Sequence, residues 1–175
     1  MTGPNVPKWF RGILKFSAGS NIIGTIWIFV IMFVMTGDVF GRLLFNSPIA
    51  GTPEIVRVSL VGILFLQLAD TFWTGRVIRC DVVTDKMSVK GRTVIDIISY
   101  LLGTAIFVIL FIASLPATIQ VWKLLEYEGE GALRVPIYPI RTLILIGSSL
   151  TAILFAYRLY ESIQALFRGK REDVR

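Results

Sequence analysis

Residues Phe16 to Gly37 form a run of 22 without a charged side chain, and Ile97 to Trp122 form a second run of 26. At a helical rise of about 1.5 Å per residue, each reaches roughly 30 Å or more, the thickness of a bilayer's hydrocarbon core. Two shorter apolar stretches complete the pattern. One, about 55–73, has 12 uncharged residues between Arg57 and Asp70, and its two charges sit near its ends, where Arg57 can snorkel toward headgroups. The other, about 139–158, precedes the charged ending RGKREDVR. The pattern predicts an all-α integral membrane protein with four transmembrane helices, spanning about 16–37, 55–73, 96–122 and 139–158.

Before the first span, Lys8, Arg11 and Lys15 interleave with Trp9, Phe10, Ile13 and Leu14. Basic and apolar residues at helical spacing predict a short amphipathic helix over 1–15, lying in the interface plane. The first span's helix is expected to continue through Asp38 and Arg42 until Asn46-Ser47-Pro48 breaks it. Gly51-Thr52-Pro53-Glu54 then reads as a helix start, with Thr52 as N-cap, Pro53 at N1 and Glu54 at N2. Pro116 predicts a kink in the third span. An acidic loop around Glu126, Glu128 and Glu130 leads to the fourth span, and 161–175 reads as a charged cytoplasmic tail.

Composition agrees with a membrane location, since hydrophobic residues make up 54% of the chain and mean hydropathy is +0.71. The net charge of +6 has its origin in loop lysines and arginines, which favour the cytoplasmic side and anionic lipid; no polar globular domain is present to bind nucleic acid. Of the 18 basic residues, 13 fall in the N-terminal flank, the loop between the second and third spans, and the C-terminal tail. That bias places both termini in the cytoplasm, an N-in/C-in topology. The first run is too long for a signal-peptide core and lacks a cleavage site followed by a soluble domain.

Candidate chemistry is sparse. The chain has no histidine, which argues against haem b between helices, histidine-rich zinc sites and a histidine proton relay. Cys80, the lone cysteine, reads as a reduced cytoplasmic thiol, although Arg76 and Arg79 are near it in sequence. Asp38 and Arg42 stand four apart on one helical face and suit an ion pair. Arg57 and Asp70, one near each end of the second span, are candidates on the same footing. Thr36-Gly37-Asp38 faintly matches an intramembrane aspartyl protease motif, without a partner aspartate in a similar setting. Trp9, Trp73 and Trp122 lie near span ends, as an interfacial belt requires, whereas Trp27 is expected deeper, against a helix or a lipid tail. Small residues such as Gly24, Gly62, Gly103 and Gly147 predict close helix approach.

The order of the remaining motifs resembles the small membrane subunit of tripartite ATP-independent periplasmic (TRAP) transporters. The resemblance rests on Val39-Phe40-Gly41-Arg42-Leu43-Leu44-Phe45-Asn46 at the end of the first span and on Gly51-Thr52-Pro53-Glu54 before the second. It continues through Gly75-Arg76-Val77-Ile78-Arg79-Cys80-Asp81, the basic stretch 86–92, and Val135-Pro136-Ile137-Tyr138-Pro139-Ile140. Val77 stands where that family usually carries a histidine, so no role of that histidine transfers. The family's common Leu-Gly pair in the second span is also replaced, around Gln67-Leu68.

What the resemblance implies is a non-catalytic, multi-pass subunit of the bacterial inner membrane, part of a sodium-coupled importer of organic acids such as C4-dicarboxylates, sialic acids or keto acids. Its expected partners are a large elevator-type permease subunit, whose fixed scaffold it would widen, a periplasmic solute-binding protein docking on the complex, and membrane lipids. No cofactor is expected in this chain, and sodium coupling would lie in the large partner. Candidate interface or motif residues are Asp38, Arg42, Glu54, Arg57, Asp70, Gly75, Arg76, Arg79 and Asp81. The competing readings are a self-sufficient small channel or transporter formed by oligomerisation, and a membrane enzyme or its anchor.

Overall fold

A computed structural model describes residues 7–47, 49, 51–75, 89–128 and 134–172. Four helices, α1 (Lys8–Phe45), α2 (Thr52–Trp73), α3 (Val89–Leu124) and α4 (Tyr138–Glu172), are long and apolar enough to cross a membrane. A two-stranded antiparallel ribbon, β1 (Tyr127–Glu128) with β2 (Val135–Pro136), connects α3 to α4.

Helix α1 packs on α2 and α3 on α4, and the two hairpins meet through α2 and α4. The outer helices consequently bury little of their apolar spans, 17% for α1 and 6% for α3. In α1, Phe10, Ser17, Gly24, Ile31 and Asp38 are all buried, each seven residues after the last. A seven-residue period keeps one narrow stripe facing a neighbour along a gently supercoiled pair, and it leaves the rest of the helix to other surroundings.

Small residues set the helix separations. A Cβ added at Gly147 would press on the backbone of Phe65, and one at Gly103 would run into the Phe155 ring. At Gly62 a Cβ would lie 3.6 Å from the indole of Trp27, so Trp27 packs deep against α2. Phe155 stacks on Phe72 at 3.8 Å between centroids, which ties α4 to α2 beside the Gly103 contact with α3.

Two expectations change. Residues 8–15 do not form a separate helix in the interface plane; α1 is unbroken from Lys8 to Phe45. Phe10 explains the difference. Its ring is fully buried, 3.9 Å from Tyr157 and 5.2 Å from Trp73, so the first turn uses its apolar side to grip α4 and α2. The start of α2 is shifted by one residue, with Gly51 rather than Thr52 as N-cap. Gly51 takes φ 82°, which glycine tolerates and a β-branched threonine does not, and the Thr52 hydroxyl donates backward to the Ile49 carbonyl at 3.0 Å. The tail's helical part is longer than a bare span: α4 continues without a break to Glu172. Pro116 lies inside the continuous α3.

Gly147→Val should lower the thermal stability of the purified protein by about 1–3 kcal/mol, the usual cost of overpacking. Gly19 has open space around it. Gly19→Ala should therefore leave stability unchanged or raise it by up to roughly 1 kcal/mol, the helix preference of alanine over glycine. Thermal unfolding in detergent checks both.

Candidate partner interface

Hydrocarbon supplies no hydrogen bonds, so polar side chains on a crossing helix must find partners within the protein. Three places between these helices meet that demand. Near the middle of the α1–α2 hairpin, Gln67 reaches the Thr25 hydroxyl at 3.4 Å, and a Cβ at Gly24 would sit 2.9 Å from the Gln67 side chain. One to two turns toward the N-terminus of α1, the Asn21 amide donates to Asp70 Oδ2 at 2.7 Å. Asp70 is buried in the last turn of α2, where the helix dipole disfavours a negative charge, so the Asn21 donor offsets both penalties. Ser17, one turn below Asn21, is buried with its hydroxyl unpaired among the described residues.

The third place is the α1–α2 connection. Asp38 is buried, its Oδ2 accepts from the Arg42 guanidinium at 2.9 Å, and its Oδ1 accepts the Ile49 backbone N–H at 2.7 Å. Both oxygens are thus engaged, and the incoming strand of chain is pinned to α1. The pair expected from spacing forms, but its larger effect is on the loop. Glu54 lies in the first turn of α2 just beyond this junction, and Arg57 follows one turn later, exposed.

At the opposite end, Phe10, Trp73 and Tyr157 cluster, with the Arg158 guanidinium 4.3 Å from the centre of the Trp73 ring. Gly75 ends this corner with φ 70°, a conformation suited to glycine, just after Thr74 closes α2 onto the Asp70 carbonyl. Arg76, Arg79, Cys80 and Asp81 lie outside the described residues. The structure thus joins Asp38 to Arg42 at one end and sets Asp70 and Gly75 at the other. The sequence offers Asn21 as one of several polar residues within the spans able to hydrogen-bond across helices, without indicating its partner, and the contact that Arg158 makes was missed. Asn21 lies on α1's packed side, one turn from Ser17 and Gly24.

Near the β ribbon, the Trp122 indole N–H donates to the Thr142 hydroxyl at 2.9 Å and its ring lies 4.8 Å from Tyr138, which locks α3 to α4. Among the described residues no group of three or more potential metal-binding side chains converges. The polar groups between α1 and α2 mostly serve one another, and the arrangement fits helix-to-helix fastening.

Asn21→Ala should destabilise the protein by about 1–3 kcal/mol, because it leaves a buried carboxylate without its donor. Ser17→Ala, which removes an unpaired hydroxyl, should be neutral or mildly stabilising. Thermal melts of the two variants distinguish these outcomes; equal losses would contradict the bonding described.

The family model described as "Tripartite ATP-independent periplasmic transporters, DctQ component" matches residues 31–165. Among curated protein sequences, none matches this chain.

Proposed function

The chain belongs to the DctQ-component family of tripartite ATP-independent periplasmic transporters, and from that premise we propose that it is a non-catalytic scaffold beside a large permease subunit. The observation that carries the reading is the outward apolar surface of α1 and α3, set against polar groups that turn inward and bond to each other. A subunit so built has surface for packing against a neighbour and fastenings that keep its own helices from shifting. An elevator-type transporter needs such a stationary part, because a mobile domain gains no displacement unless something resists it.

In this reading the large permease holds the solute and sodium sites, a periplasmic binding protein delivers an organic acid to the complex, and this chain carries no cofactor. The protein sits in the bacterial inner membrane with both termini in the cytoplasm. The supporting observation for that topology is the concentration of lysine and arginine in the two flanks and the α2–α3 loop.

Loss of the gene should abolish uptake of the organic acid, while the purified chain alone binds no solute in calorimetry. Solute binding by the isolated chain would refute the scaffold role, and solute flux from liposomes containing it alone would establish an oligomeric channel instead. A reporter enzyme inserted at Gly129 should be active on the periplasmic side; cytoplasmic activity would reverse the topology.

A further inference from the structure

The first two turns of α1 stand at the edge of the bilayer. Lys15 directly precedes the uncharged run that begins at Phe16, and the 22 residues of that run fill the hydrocarbon thickness at about 1.5 Å per residue. Phe16 therefore marks the hydrocarbon boundary. Lys15, Arg11 and Lys8 rise from it over roughly 10 Å, a depth their long stems bring within the headgroup layer. Because α1 is unbroken here, the three cations belong to the end of a crossing helix.

They also share one side of it. At about 3.6 residues per turn, Lys8, Arg11 and Lys15 fall within an arc of roughly 60°, away from Phe10 and Ser17, which are buried. All three are exposed. Among the described residues none of them has an ion-pair partner, and the first turn of α1 contains no acidic residue. Further into the membrane the same side presents Gly19, where an added Cβ would meet nothing within 4 Å. Ile22 and Ile26 follow, 62% and 59% exposed. This side thus runs from unpaired positive charge, past a bare stretch of backbone, to open apolar surface.

We propose that this side of α1 binds an anionic phospholipid, with the phosphate among Lys8, Arg11 and Lys15 and an acyl chain along Gly19, Ile22 and Ile26. Charge complementarity selects the headgroup: three neighbouring cations favour a phosphate that brings no ammonium of its own over a zwitterionic one. The order of the surface selects a lipid over an acidic protein segment at the membrane surface. Such a segment would match the cations and leave the isoleucines uncovered, whereas one phospholipid supplies anion and hydrocarbon at the two depths required. The site goes beyond the scaffold reading and stands independently of it.

The test places a bimane fluorophore at Ile22→Cys in a Cys80→Ser background and reconstitutes the full chain in phosphatidylcholine vesicles. Dibromo-phosphatidylglycerol should quench the label at a mole fraction about threefold or more below that needed for dibromo-phosphatidylcholine. Salt at about 1 M, where screening acts within roughly 3 Å, should remove that preference. Lys8→Gln/Arg11→Gln/Lys15→Gln should remove it too, with an unaltered melting profile. A label at Phe33→Cys serves as the reference. Phe33 is 70% exposed on the same side of α1 in the opposite leaflet, and Arg42, the next cation along the helix, falls on the other side. The two lipids should quench it equally. Equal quenching at Ile22, or a preference that survives both salt and the triple substitution, would overturn the site. So would loss of quenching by both lipids when the large permease is co-reconstituted, because a protein would then occupy this side of α1.

Discussion

A crossing helix satisfies its own backbone, but nothing in the bilayer core satisfies a polar side chain, and the fold is organised around that constraint. Asp70, buried at the unfavourable end of a helix dipole, requires a donor, and Asn21 supplies it across the α1–α2 interface. Once that bond is made, the vertical register of the hairpin is set. Gln67 then meets Thr25, Trp27 meets Gly62, and Asp38 arrives beside the loop it pins. Apolar contact alone would tolerate a slip of one turn between two greasy helices; these pairings would not.

The other hairpin obtains its register differently. Trp122 and Tyr138 close one end through ring contact and an indole bond to Thr142, while Gly103 admits the Phe155 ring further along. Phe155 also stacks on Phe72, so α4 is the shared wall between the hairpins. Close approach at Gly147 removes lipid from between α2 and α4 and leaves α1 and α3 facing outward. The division between inner and outer helices thus follows from where the glycines and the large aromatic rings fall.

Much of this was legible in the sequence. Uninterrupted apolar length exposed the helices, and four-residue spacing exposed the Asp38–Arg42 pair, because both are local properties of one helix. The Asn21–Asp70 bond spans 49 positions and depends on the register of two helices, which no local spacing encodes. Arg158 over Trp73 is hidden for the same reason. The sequence also misleads at Phe10, whose neighbours Lys8, Arg11 and Lys15 have the signature of a surface helix although the ring itself is a core residue. At Thr52 the one-residue error arose because Gly51 could adopt a left-handed backbone and so take the capping position first.

The clasp between Phe10, Trp73 and Tyr157 links the beginning of the chain to its last crossing. During synthesis, α1 and α2 leave the ribosome long before Tyr157 exists. Until then Phe10 has no stacking partner and the Trp73 indole lacks its guanidinium. A product that stops before Tyr157 therefore lacks both the stacking partner of Phe10 and the cation over the Trp73 ring.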